Sequence, residues 1–196
     1  INRGGCAIFA RQGVKCEPLD VSRFTLELEF ECSACIAKSE NMSFIVVVIY
    51  RSPSGSIDSF LERADEVFGW LSHRDLPTFI CGDFNIDLLK PQDGMTRKFH
   101  DMVTGHNLNF YDSTTPTRCA ETSSTLIDFF LSNSIAPGDM VNVVEAPFSD
   151  HNGIHLTTNA ITVKNQCTMY ETKRIYKNDG VEVFEKRVCS IDWDMF

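Results

Sequence analysis

Apolar and polar residues alternate over several short stretches of the chain, a pattern typical of half-buried β-strands. Phe24 to Glu31 shows it most clearly, with four apolar side chains on one face and threonine and glutamates on the other. Cys6 to Arg11, which follows the turn-forming pair Gly4-Gly5, and Gly153 to Thr157 are further predicted strands. These segments predict sheet edges or sheets with one face toward water.

Other strands are predicted by short, continuous apolar runs, which are typical of strands covered on both faces. Phe44 to Tyr50 is rich in β-branched residues and is expected in the middle of a sheet, ending at a rim with Tyr50 and Arg51. Thr78 to Cys81 is another short buried strand, Leu126 to Leu131 is an apolar strand interrupted by Asp128, and Val141 to Val144 is a further predicted strand.

Two segments carry the spacing of amphipathic helices. Ser56 is a good N-cap, and apolar residues recur at helical intervals from Ile57 to Leu71, with acidic and basic residues facing water. Met95 to Asn107 shows similar spacing and predicts a second helix. Strands interleaved with helices indicate an α/β domain.

Length and composition fit one such domain. The chain has 196 residues with 43% hydrophobic content, which suits one packed domain and a short appendage. After Asn159 the hydrophobic pattern ends and basic and acidic residues are mixed. We therefore predict a domain over residues 1–158 and a linker over 159–196. No apolar run reaches the roughly 18 to 20 residues that span a bilayer, so a soluble protein is expected. Because Ile1 stands first, we expect an excerpt of a longer chain.

The eight cysteines are scattered, and several lie inside strand-like runs. We predict buried, reduced thiols in a nuclear or cytosolic protein. Cys32-Ser33-Ala34-Cys35 has metal or redox spacing, but no second pair completes a zinc site, so a chance pattern is the better interpretation.

The net charge of −9 lies entirely in residues 1–158, which hold 12 basic and 21 acidic residues. That balance argues against nucleic-acid binding by charge alone. It does not argue against a nuclease, because a cation held by carboxylates reverses the local field where a phosphate docks.

Candidate chemistry lies where the predicted strands end. Asp83 and Asn85 follow a strand at a spacing of two, which aims both side chains into one crevice, and Gly82 lets the backbone turn there. An ordinary turn with an Asx hydrogen bond is the alternative. Ser149-Asp150-His151 is equally open to interpretation as a plain turn.

Asp128 favours a functional site over two ordinary turns, because an unpaired carboxylate inside an apolar strand costs several kcal/mol. It needs a partner, and His151 is one candidate for an aspartate–histidine pair. A structural salt bridge from Asp128 to an arginine such as Arg118 is the alternative.

The order of these pieces resembles the endonuclease/exonuclease/phosphatase superfamily, and within it the apurinic-like endonuclease domains of non-LTR retrotransposons. Five segments carry the resemblance, which covers roughly residues 3–158: Gly4 to Phe9, Val48 to Pro53, Phe79 to Asp87, Thr125 to Leu131 and Phe148 to His151. The resemblance implies a four-layer α/β sandwich, with two central mixed sheets flanked by helices. It also implies a Mg²⁺-dependent (or Mn²⁺-dependent) nick in DNA that leaves a 3′-hydroxyl.

Residue roles follow from the resemblance by position. Asp83 is expected to orient or deprotonate the attacking water, and Asn85 to hold that water or a phosphate oxygen. His151 is expected to stabilise the transition state or act as the base, with Asp128 fixing its tautomer. The remaining roles are contact with the scissile phosphate for Tyr50, metal binding for Asp150 with Asp83, and DNA contacts for Arg51, Arg118 and Thr125.

For Tyr50 and Arg51 the alternatives are an aromatic packed on the core and a solvated surface charge. The resemblance also implies a nuclear protein, with the cytoplasm as a second location, that is joined to a reverse transcriptase through residues 159–196.

One departure weakens the expectation of activity. In the superfamily an early strand supplies an Asn and the next supplies a Glu that binds the metal, and both are expected to precede Gly4-Gly5. We therefore expect a fold without its N-terminal strands, weak metal binding and reduced or absent activity. A non-catalytic remnant that binds DNA or protein is one alternative, and a phospholipid or inositol-phosphate phosphodiesterase is another.

Overall fold

The computed structural model describes residues 5–38, 42–120 and 122–161. The chain divides into two compact units, Ile1–Lys164 and Asn165–Phe196. Everything described below lies in the first unit. The linker predicted over residues 159–196 lies outside the described residues from position 162 onward.

A six-stranded mixed sheet forms the centre of this unit, in the strand order β1-β2-β3-β4-β8-β5. β3 and β4 are parallel, and the other neighbouring pairs are antiparallel. The strands are β1 (Lys15–Leu19), β2 (Phe30–Lys38), β3 (Ser43–Arg51), β4 (Thr78–Asp83), β5 (Asn109–Phe110) and β8 (Asp128–Ser132). The apolar segments Phe44 to Tyr50, Thr78 to Cys81 and Leu126 to Leu131 therefore contribute β3, β4 and β8, the inner strands of this sheet, whereas Val141 to Val144 belongs to a separate sheet.

Two helices have the predicted positions. α1 (Ile57–Ser72) begins after Ser56, whose side chain accepts a hydrogen bond from the Ser59 amide. α2 (Gly94–Gly105) begins after Asp93, whose carboxylate accepts hydrogen bonds from the amides of Met95 and Thr96. These caps satisfy amide groups that have no partner inside the helix.

Both helices contribute to one apolar core with the sheet. Alternate residues of β3 (Ile45, Val47 and Ile49) are fully buried together with Phe60 of α1 and Phe99 of α2. The alternate residues Phe44, Val46, Val48 and Tyr50 point to the opposite face and are half-buried. The helices thus cover one face of the sheet, and the catalytic candidates lie on the other face.

Two small sheets complete the described structure. β6 (Arg118–Ala120) pairs with β7 (Ser123–Thr125), and β9 (Met140–Val144) pairs with β10 (Gly153–Thr157), both antiparallel. A three-residue 3₁₀ helix spans Ser22–Phe24. The mixed α/β fold is as predicted, whereas a four-layer sandwich with two central mixed sheets stays a prediction.

The strand predicted from Phe24 to Glu31 is wrong. A tight turn bridges Leu26 to Phe30, and Leu28 takes a positive φ of 66°. Phe24 and Phe30 are buried as the alternation implied, but Leu26 and Leu28 are exposed. The real strand, β2, starts where the prediction ended, because Phe30 pairs with Arg51 of β3.

The strand predicted from Cys6 to Arg11 is also not formed. The segment contacts β2 through side chains, since the Ser33 hydroxyl donates to the Cys6 carbonyl oxygen at 2.8 Å, and it joins no backbone ladder among the described strands. The edge strand is β1 instead, which was not predicted because its residues are nearly all exposed and lack alternation.

All six described cysteines are free thiols, as predicted, but they are not uniformly buried. Cys35 is buried, whereas Cys16 and Cys119 are exposed. Cys32 and Cys35 lie three residues apart on β2 and therefore point to opposite faces of the sheet, which supports the chance interpretation of their spacing. Cys167 and Cys189 lie outside the described residues.

No helix in the described part of the chain is long and apolar enough to cross a membrane.

Candidate active site

Three of the predicted functional residues form a row across neighbouring strands. Tyr50 at the end of β3 is the register partner of Asp83 on β4, and Asp83 is the register partner of Asp128 on β8. Register partners point to the same face of a sheet and lie about 5 Å apart from strand to strand. The sheet alone therefore brings this hydroxyl and the two carboxylates together.

His151 reaches the same place from the turn between β9 and β10. Its backbone bridges to Arg118 of β6, and its Nδ1 lies 3.0 Å from Oδ2 of Asp128. The two side chains are only 29% and 15% exposed, so the contact is largely shielded from water. The predicted aspartate–histidine pair is formed, and the alternative bridge from Asp128 to Arg118 is not.

Asp83, Asp128 and His151 make up the acidic cluster. One ligand atom from each lies within 4.8 Å of the others, and all three residues are half-buried. The cluster is the only group of three or more such side chains with this spacing in the described residues. It brings together an imidazole and two carboxylates, the groups used for general acid–base chemistry and for binding hard cations.

Burial and a neighbouring carboxylate shape the electrostatics of the cluster. The pKa of Asp83 is raised, first by loss of solvation and then by the charge of Asp128. The amide of Asn85 and the charges of His151 and Arg118 act in the opposite direction. Two carboxylates in one crevice repel each other, so a cation placed between them is favoured.

The pKa of the Tyr50 hydroxyl is also raised, first by burial and then by the nearby charges of Asp83, Glu31 and Cys6. Tyr50 therefore stays protonated and remains a hydrogen-bond donor at the edge of the crevice.

The backbone after β4 is held in an unusual conformation. Gly82 has φ +145°, and a Cβ at this position would collide with the carbonyl oxygen of Ile49 on β3. Asn85 has φ +48°, a region that Asn tolerates better than most residues. The Asn85 amide donates to Oδ1 of Asp83 at 3.0 Å, which is the Asx turn that was the alternative interpretation. The turn and the site coexist, because the turn orients the Asp83 carboxylate.

Arg51 has a different place from either interpretation made from the sequence. Its side chain is buried, and its Nε and Nη2 donate to the carbonyl oxygens of Phe84 and Asn85 at 2.8 and 2.9 Å. The Asn85 side-chain amide in turn donates to the Arg51 carbonyl oxygen at 2.7 Å. Arg51 is therefore not a solvated surface charge, and its guanidinium fastens the loop that carries Asp83 and Asn85.

Asp150 and Arg118 form an exposed ion pair beside the acidic cluster. Arg118 Nε donates to Oδ2 of Asp150 at 2.8 Å, and this bond holds the pKa of Asp150 below its ordinary value. Thr125, the third predicted DNA contact, is the register partner of Arg118 in the small β6–β7 sheet. Asp128, and not Asp150, joins Asp83 in the cluster, and metal binding by Asp150 stays a prediction.

Thr117 is a positioning residue that the sequence interpretation missed. It is fully buried, and its Oγ1 accepts hydrogen bonds from the amides of Ile127 and Asp128 at 3.2 and 3.0 Å. Asp87 acts similarly, with its Oδ1 accepting from the Leu126 amide at 3.1 Å. These hydrogen bonds connect the loops that contain Thr117 and Asp87 to the residues at the start of β8 and just before it. No sequence pattern marks them, because a buried threonine or aspartate in a loop resembles any other turn residue.

The residues present fit a hard divalent cation. Mg²⁺ typically binds one or two protein carboxylates and completes its shell with water and phosphate oxygens. Asp83 and Asp128 supply two carboxylates whose mutual repulsion a cation offsets. The imidazole of His151 is already engaged with Asp128, so its Nδ1 is not free to act as a ligand.

A family model described as endonuclease-reverse transcriptase matches residues 44–155, more than half of the chain. The comparison with curated proteins gave no match. The match covers β3 to most of β10 and contains every residue of the acidic cluster.

Solved structures share the fold at low sequence identity. The endonuclease domain of TRAS1, a telomere-specific non-LTR retrotransposon, superposes with a TM-score of 0.61 at 16% identity over 74% of this chain. Beta toxin from Staphylococcus aureus gives 0.51 at 15% over 67%, and SmcL gives 0.50 at 14% over 65%. The chain spans 67%, 57% and 58% of the lengths of these three proteins.

The family match and the shared fold agree with the row of functional side chains at the sheet edge. The chain belongs to the endonuclease-reverse transcriptase family, with the fold of retrotransposon endonucleases in the endonuclease/exonuclease/phosphatase superfamily.

Proposed function

We propose that this chain carries a Mg²⁺-dependent DNA endonuclease site that nicks one strand and leaves a 3′-hydroxyl, as part of a retroelement polyprotein with a reverse transcriptase. The observation that carries the proposal is the acidic cluster, in which the atoms of Asp83, Asp128 and His151 lie within 4.8 Å of one another inside the family match. Its three groups are those that phosphodiester hydrolysis requires.

Asp83 orients the attacking water. Its Oδ1 is fixed by the Asn85 amide, which sets the plane of the carboxylate and leaves Oδ2 to accept a proton from water. A Mg²⁺ or Mn²⁺ ion held by carboxylate oxygens of Asp83 and Asp128 supplies positive charge against the phosphate when it is bound.

His151 acts on the phosphate through its second ring nitrogen. Asp128 accepts the hydrogen bond of Nδ1 and thereby leaves Nε2 available to the phosphate. As an imidazolium, with both ring nitrogens protonated, His151 donates from Nε2 to a phosphate oxygen and stabilises its negative charge, while Asp128 fixes the orientation of the ring. The protonated hydroxyl of Tyr50, in register with Asp83, donates a hydrogen bond to the same phosphate.

Positive charge for the DNA backbone comes from the rim of the site. Arg118 is 45% exposed and lies beside Asp150, so its guanidinium can exchange that carboxylate for a phosphate oxygen. The Thr125 hydroxyl, opposite Arg118 in the small sheet, is a second contact. We assign Arg51 to positioning the Asp83 loop, since its donors are used by backbone carbonyl groups.

A plasmid assay tests this function. Supercoiled plasmid is incubated with the full chain in Mg²⁺, in Mn²⁺ and with chelator, and nicked circles are separated on a gel. We expect nicking in either metal, at the reduced rate predicted from the sequence, and none with chelator, with nicks that a DNA polymerase extends directly from their 3′-hydroxyls. Nicking that persists in chelator, or nicks that need phosphatase treatment before extension, contradicts the proposal.

A further inference from the structure

Phe148 is an aromatic side chain that the packing of the described residues does not explain. It lies in the loop between β9 and β10, three residues before His151, and its side chain is 91% exposed. Single exposed apolar residues are common on protein surfaces and need no explanation by themselves. Phe148 differs because of the loop that holds it.

This loop is fastened by hydrogen bonds on both sides of Phe148. The Ser149 amide donates to the Ala146 carbonyl oxygen at 3.0 Å, which closes a turn around Pro147 and Phe148. The Asn152 side chain accepts from the Ala146 amide at 3.3 Å, and the Cys119 amide donates to the Asp150 carbonyl oxygen at 3.1 Å. The ring is therefore presented to solvent from a constrained backbone.

The ring is also close to the acidic cluster. Three residues of extended chain span at most about 11 Å, which sets an upper limit on the separation of the Phe148 and His151 Cα atoms. Successive bases in one DNA strand are separated by roughly 3.4 Å along the helix axis. A strand whose phosphate contacts His151 therefore passes close to the loop that carries Phe148.

We propose that Phe148 stacks on a nucleobase of the DNA strand, close to the phosphate that His151 contacts. This inference rests on the proposed function. Aromatic rings bind the faces of bases without regard to sequence, and phenylalanine is one of the apolar side chains that architectural proteins insert between base steps. Such a contact supplies affinity that a chain with net charge −9 does not gain from electrostatics.

The test measures DNA binding by fluorescence anisotropy with a fluorescein-labelled mixed-sequence duplex, with Ca²⁺ in place of Mg²⁺. Phe148→Ala is expected to raise Kd roughly tenfold or more, the usual loss for one stacked base. Phe148→Trp is expected to bind like the wild type, with DNA quenching the emission of the introduced tryptophan beyond any change in wild-type protein. The matched control is Phe9→Ala, which removes another highly exposed phenylalanine ring of the described residues and leaves Kd unchanged.

Equal Kd values for wild type and Phe148→Ala overturn the inference, as does the absence of DNA binding by every protein. A second measurement adds phosphatidylcholine vesicles in place of DNA. If vesicles quench the introduced tryptophan and DNA does not, the ring binds a lipid surface and the inference is overturned. Nicking is measured in parallel. Intact metal-dependent nicking with equal Kd values refutes the stacking alone, whereas Phe148-dependent binding without nicking refutes the proposed function alone.

Discussion

Nδ1 of His151 lies 3.0 Å from Oδ2 of Asp128, and this contact joins the turn between β9 and β10 to the edge of the central sheet. The two residues are separated by 23 positions in the chain, and His151 lies outside the central sheet. Their distance fixes the imidazole relative to Asp83, which is the register partner of Asp128.

Replacing Asp128 by Asn tests the role of this contact. The amide keeps the shape of the side chain but presents no negative charge to Nδ1, so the ring loses its preferred tautomer. We expect the nicking rate to fall roughly 100-fold to 10,000-fold, the range for loss of one general acid–base group. Asp101→Asn on the exposed side of α2 removes the same charge and is the control. Equal rates for the two variants contradict the assignment.

Asp83→Asn is expected to stabilise the protein while it abolishes nicking. The pKa of Asp83 is raised from 3.8 in the folded state, so ionising this group costs stability. This cost is absent when the pH lies below the pKa that Asp83 has in the unfolded chain. It grows as the pH rises through the pKa that Asp83 has in the folded protein, and it is fully present above that pKa.

Thermal unfolding at several pH values checks this expectation. The Tm of Asp83→Asn exceeds that of the wild type near neutral pH, and the gap closes as pH falls toward the ordinary aspartate range. Asp75→Asn, at an exposed position, controls for the general effect of removing one negative charge. A Tm below the wild-type value at neutral pH, or an equal gain in the control, contradicts the prediction.

Thr117→Val removes the acceptor for two backbone amides and keeps the volume of the side chain. The amides of Ile127 and Asp128 then lose their partner in a buried place, at a cost of about 2 kcal/mol or more. The midpoint of urea unfolding is expected to fall. The nicking rate is expected to fall with it, because the backbone of Asp128 is no longer held at the start of β8. Thr115→Val, at an exposed position in the same segment, should change neither quantity.

The salt dependence of DNA binding distinguishes the role of Arg51 from that of Arg118. Loss of one phosphate contact lowers the slope of log Kd against log salt by about one. We expect Arg118→Ala to show that change, and Arg51→Ala to keep the wild-type slope while it lowers stability and nicking. A reduced slope for Arg51→Ala would show that its guanidinium contacts DNA after all.

The sequence predicted the elements whose residues pack into the core. β3, β4 and α1 follow from continuous apolar runs and helical spacing, because buried positions must be apolar whatever the neighbouring chain does. Phe24 to Glu31 misled for a related reason: its first and last residues are buried, but a tight turn with Leu28 at positive φ lies between them. Alternation reports which side chains are buried and does not report the path between them.

The candidate site likewise contains features that the sequence predicts and features that it does not. The need of Asp128 for a partner was predictable because a carboxylate inside an apolar strand is costly without one, whereas the choice of His151 over Arg118 came from the family resemblance. The burial of Arg51 and the double acceptor role of Thr117 were not predictable, since both depend on backbone groups of distant loops. A sequence shows which side chain is polar, whereas the carbonyl or amide that it meets is decided by the fold.

The nicking rate of His151→Ala beside His155→Ala tests the central claim most directly. Both substitutions remove a histidine near β10, but His155 lies on an exposed strand position and only His151 belongs to the acidic cluster. On supercoiled plasmid in Mg²⁺, we predict nicking by wild type and His155→Ala at equal rates, and a rate at least about 100-fold lower for His151→Ala. Equal nicking by His151→Ala and the wild type would contradict the assignment of this site.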